Sequence, residues 1–478
     1  MGIWSKKSIE DLKSCHEEKN SQLTRTLTTF DLILIGIGCV IGAGIFSITG
    51  IAAAENAGPA IVISFILASV GCAFAGLCYS ELAAMIPISG SAYTYAYVSM
   101  GELVAWLIGW SLILEYAIGA STVAISWSAY AISFLQDFGI ILPAEIAASP
   151  WQHNPITNTA NHTGLFNLPA VLIIVVISLI LIRGIRHSAS INAVIVLIKV
   201  SVVLVFIGIG IFYINPENYV PFIPENTGTF GSFGWSGILR ASGVIFFAYI
   251  GFDAISTTAL ETKDPNKSLP RGILGSLTIC TILFIAFSFV LTGLANYKDL
   301  DVAAPVAVAI ANTPFPWLQQ IIKLGILAGL TSVMLVLLLG QSRIFFVMAC
   351  DGMLPKVFSR LHPSFHTPWI CNLILMIAVA VIAAFTPLSI VGHMTSIGTL
   401  MAFTLVCMGV MILRYRHPEY PRPFKVPLFP FVPIMGILTC TGMMAFLGLS
   451  NWIRLISWLL VGLCIYFGYS RHQTKHFN

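Results

Sequence analysis

From Thr29 onward the sequence is a succession of apolar runs, each close to the length needed to cross a bilayer. A helix rises about 1.5 Å per residue, so about 20 apolar residues cover a hydrocarbon core about 30 Å thick. Such runs fall at 29–54, 60–86, 101–134, 167–187, 190–214, 237–261, 271–295, 317–348, 369–387, 391–414, 428–449 and 452–470. They are referred to below as spans 1 to 12. Only 9% of the residues are charged and 57% are apolar, whereas a soluble domain carries roughly 25% charged residues. Too little polar material is present to coat a globule in water. The expected fold is an all-α integral membrane protein of about twelve transmembrane helices.

Orientation follows from the basic residues. With the N-terminus inside, cytoplasmic segments carry Lys6, Lys7, Lys13, Lys19 and Arg25, then Arg183 and Arg186, then Lys263, Lys267 and Arg271. Arg343, Lys356 and Arg360 follow, then Arg414, Arg416, Arg422 and Lys425, and finally Arg471 and Lys475. The outer side receives Arg240, Lys298, Lys323 and Arg454, and Lys199 falls within span 5. This asymmetry places both termini in the cytoplasm of a cell-membrane protein. Residues 1–28 are polar for too long to be a cleaved signal and read as a retained tail. The net charge of +4 thus reports orientation and gives no support to nucleic-acid binding.

Two spans break the rules of a membrane helix. Span 1 reads Ile35-Gly-Ile-Gly-Cys-Val-Ile-Gly-Ala-Gly-Ile-Phe46, and span 6 reads Phe246-Phe-Ala-Tyr-Ile-Gly-Phe-Asp253. Each glycine weakens a helix by about 1 kcal/mol relative to alanine. Freed backbone groups at that depth survive only where they line a cavity or are buried in protein. Gly38 and Gly42 also suit close helix contact, since small residues let membrane helices approach. Matching breaks at the start of two halves are, however, the sequence pointer to the site of an inverted-repeat transporter.

Ionisable residues within spans carry the remaining chemistry. Lys199 lies about nine residues, or roughly 13 Å, into span 5. A lysine there must face protein or a cavity. Out of water it can load and release a proton near neutral pH, or it can act as a fixed charge on a carboxylate or on helix-end carbonyls. Glu115 in span 3 is its candidate counter-ion by depth. Asp253 follows the span 6 break and is expected to cap the second half-helix, with a proton relay as the other role. Glu81 and Glu55 lie near span ends and are expected to be hydrated, and His393 to be interfacial.

The sequence has no Walker A, GxSxG or HExxH pattern, and the glycines at 36–44 sit in an apolar span rather than after a strand. An enzyme, a nucleotide-driven pump and a metal centre are not expected, and no cofactor is implied. The ten cysteines show no metal-ligand spacing and read as packing residues. The long outer loop 135–166 lacks cysteine, so no disulfide-linked partner chain is expected there. Its triplet Asn161-His-Thr163 matches a glycosylation acceptor but is assigned no role.

At these residues the sequence resembles the amino acid–polyamine–organocation superfamily, most closely the bacterial members of its cationic amino acid transporter branch. Ile41-Gly-Ala-Gly-Ile-Phe46 is similar to the family's span 1 signature. Tyr79-Ser-Glu-Leu82, Pro87-Ile-Ser-Gly90 and Tyr93 are similar to the segment after span 2. Phe246 to Asp253, Glu261-Thr-Lys-Asp-Pro265 and Leu269-Pro270 resemble span 6 and its exit. Gln341-Ser-Arg343 with Asp351-Gly-Met-Leu-Pro355, and Arg422-Pro-Phe-Lys-Val-Pro427 with Pro430 and Pro433, complete the likeness.

The resemblance implies a LeuT-type five-plus-five inverted repeat with two additional C-terminal helices and discontinuous spans 1 and 6. Residues 1–28 would be the cytoplasmic tail, 29–214 the first repeat, 215–415 the second, and 416–478 spans 11–12 with a short tail. The amides of Gly42, Ala43 and Gly44 would receive a substrate carboxylate. Carbonyls of Val40 and Ile41, with those of Phe247, Ala248 and Ile250, would receive the α-ammonium, and Phe246 or Phe247 would close the pocket. Sodium-coupled relatives of this fold bind an ion at positions matching Gly38, Ile41, Ala328, Thr331 and Ser332. In proton-coupled members a span 5 lysine takes that place, so protonated Lys199 is expected to bridge Gly38 and Ser332.

The expected activity is proton-coupled symport of amino acids by alternating access. No acidic side chain stands at the named pocket positions apart from Asp253, which favours a neutral, alanine-like substrate. The other transport reading is a sodium-independent exchanger or uniporter of cationic amino acids or amines, with Lys199 structural. A non-transporting sensor is disfavoured by the intact breaks and short tails. A small single-span partner subunit is compatible with the sequence.

Overall fold

The computed structural model describes residues 26–88, 91–150, 164–184, 189–365 and 367–471. The tail 1–25 with its basic residues and Cys15, the triplet at 161–163, Ser89, Gly90, Arg186 and Lys475 lie outside the described residues. So does the side chain of His393. Among the described residues the chain is helical throughout, with no strand beyond a single parallel bridge between Leu27 and Thr262.

The principal helices are α1 Thr29–Val40, α2 Ile61–Met85, α3 Ser91–Ser99, α4 Glu102–Gln136, α5 Leu168–Arg183, α6 Ala189–Gly210 and α7 Gly234–Ile245. They continue with α8 Pro265–Leu294, α9 Pro316–Cys350, α10 Trp369–Phe385, α11 Leu388–Arg416, α12 Phe431–Phe446 and α13 Leu449–Ile465. Eight helical runs are long and apolar enough to cross a membrane, the first of them covering Thr29–Met85. Helices α5, α10 and α12 are shorter but equally apolar. The chain is therefore a multi-pass membrane protein. The 35-residue helices α4 and α9 are about 50 Å long at 1.5 Å per residue, so they tilt or project beyond the hydrocarbon.

Local chemistry explains the boundaries. Thr28 and Asp31 form a reciprocal capping box at the start of α1. Asn167 caps α5 through the amide of Ala170. Gly184 (φ +82°) ends α5, and Gly448 (φ +88°) separates α12 from α13. The two pairs of runs that nearly abut in sequence are thus separate helices, because these positions take a backbone conformation that glycine adopts without strain.

Helix α13 is bolted to α4 by aromatic side chains. The indoles of Trp110 and Trp458 stack at 4.5 Å between centroids, and each N–H donates to the other residue's carbonyl, at 2.9 and 3.0 Å. Gly462 is required beneath them, since a Cβ there would lie 2.4 Å from Trp110. On another face, the peptides of Thr26, Leu27 and Lys263 pair with those of Glu261 and Leu27 at 2.9–3.0 Å. This joins the entry of α1 to the exit of span 6.

One charged residue differs from expectation. Glu81 is buried rather than hydrated: Arg414 binds it bidentately, Arg422 approaches to 3.5 Å, and the Val426 amide donates at 2.7 Å. A carboxylate at a helix end satisfies itself on arginines brought from α11 and the loop after it, which only the fold supplies. Lys323, assigned to the outer side, is likewise buried and bonds Asp137 at 2.7 Å. Glu55 is exposed, as expected.

Removing the Glu81 carboxylate leaves two largely buried guanidiniums without their counter-charge, an effect on the order of 3–5 kcal/mol for buried pairs. Glu81→Ala is expected to lower the thermal midpoint in detergent markedly. An unchanged midpoint would show that the cluster contributes little to stability.

Candidate functional site

The two sequence breaks meet in space. Span 1 stops at Val40, Ile41 is extended (φ −74°, ψ 99°), and a wide π-type turn, Gly44–Ile48, resumes the helix. In span 6, α7 ends at Ile245, a 3-10 turn covers Phe246–Tyr249, and Ile250 is extended (φ −62°, ψ 137°). Gly251 takes φ +114° before the 3-10 segment Phe252–Glu261. A Cβ on Gly44 would lie 2.3 Å from the Cα of Ala248, and one on Gly251 would lie 2.9 Å from the Cβ of Cys39. The glycines are therefore there for backbone-to-backbone crossing of the two breaks. Gly42 is less constrained, since its Cβ would meet Val333 side-chain atoms at 3.3 Å.

This crossing sets opposite partial charges side by side. The segment beginning at Gly44 has Ala43 at its N-cap and no side-chain cap. Its first amides belong to a helix N-terminus, where an anion is favoured. The end of α1 offers carbonyls from residues 38–41, where a cation is favoured.

Lys199 occupies part of that cationic position. Its side chain is buried, and its Nζ donates to the carbonyl of Gly38 at 2.6 Å and to that of Ile41 at 3.4 Å. Gly329 of α9 leaves room for the lysine stem, because a Cβ there would lie 3.1 Å from Lys199 Cγ. Contact with Ser332 is not made: that hydroxyl donates to the Gly329 carbonyl at 3.0 Å. Thr331 accepts from the Trp127 indole at 3.0 Å and donates to Leu327. The Gly38 end of the expected bridge is thus present, and Ile41 replaces Ser332 at the other end. Ile41, expected to face the substrate ammonium, spends its carbonyl partly on the lysine.

The expected partners of Lys199 and Asp253 are rearranged. Among the described residues Lys199 makes no salt bridge, and the charged neighbour of Glu115 is Asp253. Asp253 does not cap the half-helix, whose N-cap is Gly251 with no side-chain bond. Instead its carboxylate accepts from the Tyr116 hydroxyl at 3.2 Å and from Ser91 at 3.4 Å. One oxygen of each acid, Glu115 Oε2 and Asp253 Oδ1, is buried without a hydrogen-bond partner. Tyr116 and Ser91 were not picked out from sequence. Their α4 and α3 positions face Asp253 only because span 6 crosses there, and no periodicity marks that.

Aromatic side chains close the surroundings. Phe246 and Phe247 are both buried, and Phe246 packs edge-on against Phe403 at 5.7 Å. On the far side of the span 1 break, the Tyr130 hydroxyl donates to the Phe46 carbonyl at 2.5 Å and accepts the Val306 amide at 3.3 Å. A cavity of about 490 Å³ lies among Ile125, Ala129, Asp137, Ala304, Ala307 and Lys323, and neither break lines it. Among the described residues no cluster of His, Cys, Asp or Glu could hold a metal.

Comparison with known sequences places this geometry in a family. The model of a family described as amino acid permease matches residues 27–468, which include both breaks and Lys199. The chain belongs to this amino acid permease family. It lies within the amino acid–polyamine–organocation superfamily and is a transporter rather than an enzyme. It is similar to the methylthioribose transporter of Bacillus subtilis (strain 168), 44% identical over 99% of this chain and 98% of that one. It is also similar to the branched-chain amino acid permease BcaP of the same organism, 41% identical over 99% and 98%. A vacuolar cationic amino acid transporter 4 of Arabidopsis thaliana is 36% identical over 87% of this chain and 67% of its own.

The close approach of the breaks in this permease generates a contrast. Gly44→Ala has backbone in its way and is expected to cost at least about 3 kcal/mol, as strong overpacking does, and to reduce uptake to background. Gly42→Ala meets only a side chain and should retain most uptake. Equal behaviour of the two variants in reconstituted vesicles would show that the crossing is not tight.

Proposed function

We propose that this permease is a proton-coupled secondary transporter that imports small neutral amino acids by alternating access. Both termini are cytoplasmic in this reading, and about twelve crossings form a five-plus-five inverted repeat followed by two further helices. The observation that carries it is the ammonium of Lys199 on the carbonyls of Gly38 and Ile41, at the break of span 1. A mobile proton on this amine would tie or release the carbonyls beside the substrate position. The same ammonium fills the place in which a sodium ion would be held, which supports sodium independence.

The zwitterion fits the polarity of the crossing. Its carboxylate would meet the amides of Gly42, Ala43 and Gly44. Its ammonium would meet the carbonyls of Val40, Phe247, Ala248 and Ile250, with Ile41 shared with Lys199, and Phe246 and Phe247 would close over it. Relatives named for branched-chain amino acids support an apolar side chain. Thr331 would position Trp127 against α9, and Ser332 would be a landing point for the lysine after release. A single-span partner subunit is compatible with this arrangement, and no disulfide to one is proposed.

One observation favours a second reading. Glu115 and Asp253 are electrostatic neighbours, each with a buried oxygen that has no hydrogen-bond partner. Such a pair suits a cationic side chain, and relatives named as cationic amino acid transporters exist. In that reading the protein exchanges or passively conducts cationic amino acids or amines, and Lys199 is a structural brace.

The test is uptake of labelled alanine, leucine, arginine and methylthioribose into sodium-free proteoliposomes, with and without an inward proton gradient. At one proton per substrate, one pH unit is worth about tenfold accumulation. Gradient-driven accumulation of alanine or leucine in the wild type, lost in Lys199→Ala with residual exchange, is the expected result. Arginine exchange indifferent to pH would establish the second reading. Uptake of methylthioribose alone would overturn amino acid transport altogether.

A further inference from the structure

The inner half of span 6 is held by side chains that the coupling scheme leaves unused, and they converge on a serine in a costly backbone conformation. Ser91 opens α3 at φ +53° and is fully buried. Left-handed backbone is unfavourable for a residue with a Cβ and persists only where the surroundings over-determine it. Here they do. The Ser91 hydroxyl bonds the Tyr79 hydroxyl of α2 and donates to Asp253 Oδ2 at 3.4 Å. Tyr116 of α4 donates to the same Asp253 oxygen at 3.2 Å. Tyr79 also reaches Ser256, one turn further along the segment, at 3.5 Å.

We propose that Ser91 is the positioning residue of a latch that holds the 252–261 segment against α2, α3 and α4, closing the central site toward the side of the termini. This rests on the alternating-access reading above. Withdrawal of the segment breaks the Ser91 and Tyr116 bonds together. It also gives Asp253 Oδ1, which has no partner in the closed form, access to water. The loss and the gain are of one kind, so the latch is releasable rather than permanent. Relief of the Ser91 conformation adds to the opening side.

Cys39 reports the motion. It is buried directly against Gly251, where the segment begins, so withdrawal uncovers its thiol. The experiment uses the full chain in inside-out vesicles treated with a membrane-impermeant maleimide, with modification of the Cys39 peptide followed by mass spectrometry. Ser91→Gly removes the hydroxyl and the strain, whereas Ser91→Ala removes the hydroxyl alone. Ser91→Ala is expected to raise the Cys39 rate by roughly three- to tenfold, the worth of one buried hydrogen bond, and Ser91→Gly, which also relieves the closed form of its strain, by less. Both should also raise the half-saturating substrate concentration on the opposite face. The thermal midpoint of Ser91→Gly should not fall, which a merely structural serine would not combine with faster labelling. Cys39 modified at the wild-type rate in Ser91→Ala overturns the latch. If that variant does not fold, Tyr79→Phe removes a partner hydroxyl, and a wild-type rate there overturns it equally. Because labelling needs no substrate, a protein that transports none of the solutes tested would sink the transport reading while the Cys39 rates still decide the latch.

Discussion

In hydrocarbon an unpaired peptide group costs several kcal/mol, and that single penalty organises this protein. It makes every described element a helix, and it makes each interruption of a helix an event that needs a partner. Spans 1 and 6 are interrupted at the same place, and each supplies the partner surface for the other. Gly44 lies against Ala248 and Gly251 against Cys39 at distances that no side chain would permit. The carbonyls freed at the end of α1 are then met by an ammonium from α6. The proposed solute site lies here because both breaks leave backbone groups that no helix spends.

The same penalty governs the charged side chains. Among the described residues, several buried charges are paired with groups from distant elements, and two acids keep one open acceptor each. Glu81 gathers Arg414, Arg422 and the Val426 amide, and Lys323 takes Asp137. These groups act as braces, because each charge is met by an opposite charge from a distant element. Asp253 and Glu115 are different, since each keeps an oxygen without a partner. Incomplete satisfaction inside a bundle is costly. Asp253 lies on the segment that follows the span 6 break, where movement would let water complete its shell.

Relatives that share most of this chain carry names for quite different solutes. That is consistent with a site whose polar part is backbone. Amides and carbonyls at helix ends are supplied by the fold and do not change when side chains do, so in the proposed site specificity would drift through neighbours such as Phe247, Tyr116 and Asp253. The scaffold and the recognition of a particular solute are therefore separable physical problems in this family.

Much could be read from the sequence alone. Apolar length gave the helices, because the hydrocarbon thickness fixes a segment's length whatever it packs against. The glycine clusters marked both breaks, and one lysine within an apolar run marked the position beside them, because each is expensive unless a cavity or partner exists. Partners were a different matter. Ser332 was expected beside Lys199 and Ile41 was found. Glu115 was the candidate counter-ion of Lys199 by depth, and its charged neighbour is Asp253. Glu81 was expected in water and it lies beneath two arginines. Sequence determines which groups must be satisfied, since that depends on residue type and depth. Only the tertiary structure decides by whom, since that depends on how helices hundreds of residues apart in sequence rotate and cross.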